Sequence, residues 1–374
     1  MKTMKTGQKI FFVAFWVVIC GAWILWLLLG RFTDNENYEY REPAPLPQWT
    51  LETAEQFPKS FEEYFNDRLP FRNPLITLNS AVDYYVFGRS AHFRVTVGKE
   101  GWLFYSNSAD GNPIACYQGT NLLSEEELAA IAANCVRQRD ILAARGCEFV
   151  IFIAPNKNRI YAEYMPEVLG RPAEMYRALQ VVNYLREHTD LRVVYPYDEL
   201  MAAKETVTEK LYYKTDTHWN LLGGYVGAAA LLRELGIEMP ALSSPGMRIS
   251  VNGFKTGDLA RNLGLVPQLR GTDPEYVLQG YDNHSARLVE QTDDSYLYHA
   301  ENADPRKLMV VRDSFALSMM PHLASQFNES YFKHFLYYTW ADLEAQQPDI
   351  LVCETVERFV TDLGRFYVQL GKED

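Results

Sequence analysis

Two short stretches of this sequence carry groups that together could run acyl transfer through a serine nucleophile. In Lys210-Leu211-Tyr212-Tyr213-Lys214-Thr215-Asp216-Thr217-His218-Trp219-Asn220 a carboxylate and an imidazole stand two residues apart. On an extended backbone they share a face, so Asp216 can orient the His218 ring and stabilise its cation. Further on, Leu308-Met309-Val310-Val311-Arg312-Asp313-Ser314-Phe315 reads as an apolar strand that breaks at a serine just before a helix. That order sets a hydroxyl at the carboxyl edge of a sheet, beside helix-start N–H groups able to bind a developing oxyanion. Taken singly, each stretch is explained as well by helix capping, at Asn220 in one and at Asp313 or Ser314 in the other. A serine, a histidine and an aspartate in these settings together shift the balance to catalysis.

Placing these groups requires a sheet. Short apolar runs at 149–154, 193–195, 308–311, 331–337 and 350–353 read as strands, and helical stretches at 173–187, 221–235, 316–327, 340–346 and 357–369 separate most of them. Buried apolar strands with helical crossovers predict a mostly parallel α/β sheet covered on both faces. Ser124-Glu125-Glu126-Glu127 is a capping signature for a helix running to about Ala144. The run from Val95 to Tyr105 turns at Lys99-Glu100-Gly101 and predicts a hairpin. Residues 51 to about 95 read as helical. Residues 238–300, rich in Gly, Asn and Asp, fit the alternation poorly and are expected to be an insertion or lid.

The first residues set the setting. Ile10 to Leu29 contains no charge, and twenty helical residues are enough to cross about 30 Å of hydrocarbon. Lys2, Lys5 and Lys9 precede this run while Asp34, Glu36, Glu39 and Glu42 follow it, which predicts a cytoplasmic N-terminus and an extracytoplasmic body. A cleaved signal peptide is the rival, but the apolar run is long and ends in Gly30-Arg31-Phe32, so an uncleaved single-pass anchor over residues 1–30 is expected. Residues 31–54, with Pro43, Pro45 and Pro47, suit an extended linker, and 55–374 the folded domain. A net charge of −12 excludes binding of nucleic acid or a polyanion through a diffuse basic face. Five cysteines with no CxxC pair give no zinc spacing, and Cys116 with Cys135 could form one disulfide. Asp216 and His218 could both ligate a metal, but no further His or Cys pair has ligand-like spacing, and no metal is expected.

Asp216-Thr217-His218-Trp219, the Asp313-Ser314-Phe315 turn, Pro155-Asn156-Lys157-Asn158-Arg159-Ile160-Tyr161 after a strand, and Gly98 to Tyr105 resemble the SGNH-hydrolase-like O-acetyltransferases of the alginate type, including the bacterial DHHW relatives. The likeness covers about residues 55–374. The serine comes last, as in the circularly permuted order of that family. Thr217 replaces the second letter of DHHW, and Arg312 stands where a Gly before Asp-Ser is common. Carried across residue by residue, the resemblance implies Ser314 as nucleophile, His218 as general base and then acid, and Asp216 as its orienter, with the amide of Ser314 or Phe315 in the oxyanion hole. Arg312, Asn156, Lys157, Tyr213 and Trp219 are secondary candidates for substrate or oxyanion contacts. Glu354 ends a strand at the same edge, where an ion pair to Arg358 is the alternative to a site role.

The function so implied is O-acylation, with acetyl the expected group, of a cell-surface or secreted polysaccharide outside the membrane, fed by a membrane-bound O-acyltransferase partner because acetyl-CoA is absent there. A carbohydrate esterase using the same three residues, and a noncatalytic glycan-binding assembly protein, are the alternatives.

Overall fold

The computed structural model describes residues 6–29, 42–69, 71–90 and 92–365. Lys2 and Lys5, the linker up to residue 41, and the last part of the expected 357–369 helix lie outside them. The described chain divides into two compact units, one of Met1–His92 with Arg261–Gln268, the other of Phe93–Ala260 with Leu269–Asp374.

In the first unit, helices run over Thr6–Leu29, Phe57–Asp67 and Arg72–Tyr85. Thr77 Oγ1 donates to Gly264 O at 2.9 Å, tying the third helix to the returning segment. Among the described residues no helix is long and apolar enough to cross a membrane.

The second unit is an α/β fold. Its strands are β1 (Val95–Val97), β2 (Leu103–Tyr105), β3 (Glu148–Ala154), β4 (Arg192–Val194), β5 (Arg248–Lys255), β6 (Asp273–Gln279), β7 (Arg287–Gln291), β8 (Ser295–His299), β9 (Asp304–Arg312), β10 (Phe327–His334) and β11 (Ile350–Val356). Seven form one sheet in the order β4-β3-β11-β9-β10-β8-β7. The first five run parallel, and β8 and β7 extend the edge antiparallel. Along β9 and β11 alternate residues enter two separate cores. Leu308, Val310, Ile350 and Val352 face the one containing Trp219 and Phe315, while Met309, Val311, Leu351 and Cys353 face the one containing Leu142 and Leu185. A sheet buried on both faces in this way needs the continuous apolar runs seen in the sequence.

The expected capping box is present, Ser124 Oγ accepting from Glu127 N and Glu127 from Ser124 N, and it starts a helix over Glu125–Ala143. β1 and β2 pair as the predicted hairpin, with Glu100 and Gly101 at positive φ in the turn. The stretch expected to be an insertion or lid is corrected: β7 and β8 are strands of the main sheet, and β5 and β6 pair with each other. Their polar, alternating pattern is that of half-exposed antiparallel strands, which is why they fell outside the buried-strand pattern. The 331–337 strand ends at His334, and 335–337 is a single tight turn.

Candidate active site

The His-bearing loop is not the extended run expected. Tyr212 and Trp219 form an isolated antiparallel bridge, and Tyr213 N donates to His218 O at 3.2 Å, so residues 213–218 are the tip of a small hairpin. Asp216 Oδ1 accepts both the backbone N–H of His218 at 3.0 Å and ring Nδ1 at 2.7 Å. A turn therefore does what strand alternation was expected to do, because a short side chain that caps an amide two residues on also meets that residue's ring. Asn220 then caps the helix Leu221–Glu234, accepting from Leu222 N and Gly223 N.

Ser314 follows the end of β9 at the carboxyl edge of the sheet, as expected. Its Oγ lies 2.7 Å from His218 Nε2. Asp216, His218 and Ser314 thus form one hydrogen-bonded line. The two halves are pinned by Trp219, whose Nε1 donates to Phe315 O at 2.8 Å while its ring packs on Phe315 with centroids 5.6 Å apart. Gly224 lets the helix after the loop close on the serine turn, since a Cβ there would overlap Ser318 O.

Three supports hold the acid in place. Lys157, buried just after β3, donates through Nζ to the carbonyls of Tyr213 at 3.1 Å, Lys214 at 3.3 Å and Asp216 at 2.5 Å. Burial lowers its pKa to about 8 against the pull of the surrounding aspartates. Asp273, at the start of β6, accepts the amides of Lys214 and Thr215 and the Thr215 hydroxyl. The segment after β5 brings Leu259 N and Ala260 N to Thr215 O, and Asp258 Oδ1 to Thr217 N at 2.7 Å. Gly257 is required there because a Cβ would overlap Thr215 O and Asp216 N.

Lys255 places Nζ 3.0 Å from the second Asp216 oxygen and 4.0 Å from the Tyr213 ring centroid. Burial alone would raise the Asp216 pKa, but the His218 hydrogen bond, the imidazole charge and Lys255 together hold it well below the usual carboxylate range. Asp258 moves the other way, raised by burial and by the Asp216 charge. Asp216, His218 and Asp258 also come close enough to hold a metal ion. Both ring nitrogens are nevertheless engaged by Asp216 and Ser314, and the Lys255 ammonium already stands against Asp216 as the local cation.

Several secondary candidates take different places from those expected. Lys157 is spent on the loop carbonyls. Phe315 N donates to Asp313 Oδ1 at 2.7 Å, which leaves the Ser314 amide as the backbone donor of that turn. The Arg312 guanidinium is buried, lies 5.4 Å from the Tyr296 ring centroid and donates to Asp313 O at 3.3 Å. Glu354 makes no ion pair to Arg358; its Oε2 accepts Asp313 N at 2.8 Å. Asn156 donates its amide to Glu357 at 2.9 Å and accepts from Arg358 through Oδ1 at 3.4 Å, and its side-chain amide also faces the Glu357 carboxylate. Tyr213 N closes the hairpin and its ring carries Lys255. Cys116 and Cys135 are separate free thiols. Lys255, Asp258 and Asp273 were missed by sequence reasoning, since each lies in the stretch set aside as an insertion.

A serine, histidine and aspartate in line at the carboxyl edge of a parallel, helix-flanked sheet define a serine-hydrolase-like site. Residues 95–333, well over half of the chain, match the family model described as SGNH hydrolase-like domain, acetyltransferase AlgX, and the chain belongs to that family. It is similar to a Pseudomonas putida protein named probable alginate O-acetylase AlgJ, with 29% identity over 63% of this chain and 57% of that protein. The Pseudomonas fluorescens protein of the same name is 26% identical over 72% of this chain and 64% of its own. The chain thus spans less than two thirds of the length of these relatives. Bacillus cereus PatB1 shares the fold, with a TM-score of 0.52 and 14% identity over 73% of this chain and 99% of that one.

Proposed function

We propose that this protein is a membrane-anchored, extracytoplasmic O-acyltransferase that acetylates a polysaccharide through Ser314, His218 and Asp216. The observation that carries the reading is the pair of 2.7 Å contacts in series, Asp216 to His218 Nδ1 and His218 Nε2 to Ser314 Oγ. In the first half-reaction Ser314 Oγ attacks the carbonyl carbon of an acyl donor and its proton passes to His218 Nε2. The Ser314 amide, with Asn156 Nδ2 as candidate co-donor, faces the oxyanion. Collapse expels the donor alcohol or thiol, which takes the proton from His218. In the second half-reaction His218 deprotonates a sugar hydroxyl, which attacks the acyl-serine, and the proton returns to Ser314. Asp216, kept ionised beside Lys255, holds the ring and stabilises the imidazolium.

Residues 10–29 serve as the anchor, supported by their uncharged length and the lysine-to-acid flanks. Acyl groups come from a membrane-bound O-acyltransferase partner, and the domain plan is anchor, linker and catalytic body. The relatives named for alginate O-acetylation support transfer to a sugar hydroxyl over hydrolysis. The test is acyl transfer from a chromogenic acetate ester to oligosaccharides, with free acetate followed in parallel. Transfer should be lost in Ser314→Ala. Full activity of a folded Ser314→Ala variant refutes the covalent route, and hydrolysis with no glycan product, even beside the membrane partner, replaces transferase with esterase.

A further inference from the structure

A cavity of about 350 Å³ opens at the carboxyl edge of the sheet and has Asp313, the residue before the nucleophile, in its wall. This is within the range of about 300–1,000 Å³ found for small-molecule sites. Asp313 Oδ1 holds the Phe315 amide and Oδ2 accepts Val356 N, so the cavity and the serine turn share a rigid partition.

The feature that asks for a ligand is Glu354. Its side chain is buried, only 3% exposed, Oε2 accepts the Asp313 amide, the carboxyl stands against that of Asp313, and Oε1 receives no N–H or O–H from any other group. Burial and the adjacent Asp313 carboxylate push the Glu354 pKa well above the ordinary range. With its proton shared with Asp313, Oε1 still offers an acceptor to a ligand hydroxyl. The remaining walls are apolar and aromatic, from Phe335, Leu336, Tyr338 and Phe359. Phe335 and Leu336 lie on the exposed turn after β10, where the His334 ring stacks on Phe335 at 5.0 Å. The exposed Phe335 ring, with Tyr338 and Phe359 behind it and a polar anchor beside it, suits the C–H face of a pyranose. The charged groups of the wall besides Glu354 are Asp313, Asp362 and Arg365, two acids to one base. Arg312 stands behind Glu354 and Arg365 faces Asp362, so the wall leaves no uncompensated cation to hold a carboxylate.

Resting on Ser314 as the acyl-transfer nucleophile, we propose that this cavity binds one ring of an uncharged glycan, anchored on Glu354 and the 335–338 turn, and that it disfavours uronates. The acceptor of this chain would then differ in charge from alginate, the polyuronate for which its relatives are named.

The experiment measures binding to the full chain in detergent, in a Ser314→Ala background so that turnover is absent. The probes are cellohexaose, laminarihexaose, mannohexaose and chitohexaose, against hexamannuronate. At least one neutral hexamer should bind about tenfold tighter than hexamannuronate, with the gap narrowing as salt rises. Glu354→Ala should weaken neutral binding by about tenfold, and Glu354→Gln, which keeps a donor and an acceptor, should restore it. Phe335→Ala, at an exposed position where folding is not at stake, should weaken it comparably. Binding of hexamannuronate as tight as that of every neutral probe overturns the proposal, as does neutral binding indifferent to both Glu354→Ala and Phe335→Ala. Neutral binding in the cavity with wild type acetylating no glycan leaves the subsite standing and removes the transferase reading. Transfer to hexamannuronate in preference to all neutral probes does the reverse.

Discussion

Replacing Lys157 with methionine separates the placement of Asp216 from the stability of the fold. Methionine nearly fills the same volume but leaves the carbonyls of Tyr213, Lys214 and Asp216 facing a thioether. Three lost hydrogen bonds from a charged donor, at about 1.5 kcal/mol net each, come to about 4–5 kcal/mol. Against this, the buried ammonium is itself costly. A fall in pKa from 10.5 to about 8 is worth about 3 kcal/mol of discrimination against the charged form, and that cost disappears with the charge. The two effects offset to within about 1–2 kcal/mol, so Tm should fall by less than about 5 °C. The loop, however, loses its underside, and a displacement of about 1 Å at Asp216 and His218 costs on the order of 10²-fold in kcat. Thermal melts beside kcat/KM on a chromogenic acetate ester give both numbers. A pH series adds a second signature. Because the folded pKa of Lys157 lies below the unfolded one, the unfolded chain binds more protons between about pH 8 and 10.5, and wild-type stability gains up to about 3 kcal/mol relative to the variant across that window. A Lys157→Met protein with unaltered kcat/KM refutes the positioning argument, and a melt lowered by more than about 10 °C refutes the cancellation.

Asp216→Asn should lower kcat by roughly 10³–10⁴-fold with little change in fold, because the amide can hold the wrong imidazole tautomer; steady-state kinetics with circular dichroism checks it. Asp216 has a depressed folded pKa, so its stabilisation is present above pH 4 and lost as pH falls below that value, and acid unfolding of Asp216→Asn should show a shallower slope there. Glu354 has the opposite sign: stability falls as pH rises above about 4, so Glu354→Gln should gain stability at pH 7 relative to pH 4 in paired urea titrations. Trp219→Phe removes the bond to Phe315 O from a fully buried site and should cost about 1–3 kcal/mol by urea unfolding, with a larger loss in kcat than in KM. Gly257→Ala should inactivate the enzyme by displacing Thr215 and Asp216 while β1 to β4 stay folded by hydrogen exchange.

The parallel half of the sheet was legible because residues 149–154 of β3, 308–311 of β9 and 350–353 of β11 are buried on both faces and therefore apolar. Asp216, His218 and Ser314 were legible because residue type and a strand-to-turn transition suffice to mark them. Lys157 was visible only as a lysine after a strand, and nothing in its neighbours says that its ammonium serves a loop about sixty residues on. Lys255, Asp258 and Asp273 were illegible for a related reason: each acts through a partner about forty to sixty residues away, and local periodicity carries no record of such pairings. The one local hint was Gly257-Asp258 after an alternating run, a turn signal that could have marked a close approach. For Glu354 a site role and an ion pair to Arg358 stood side by side, because a buried carboxyl held by an amide has no sequence signature distinct from an ion-paired one.

The hairpin tip carrying Asp216 is held at once from residue 157, from residues 257–260 and from residue 273. Its geometry is therefore right only when three stretches that are remote along the chain have all reached their native positions. During refolding, helix and sheet signals should recover first, and esterolytic turnover should lag until the slowest of the three arrives. Under the proposed reaction, turnover would report a coincidence of long-range contacts, and a preparation could look folded by circular dichroism while a large share of its molecules lacked the assembled site.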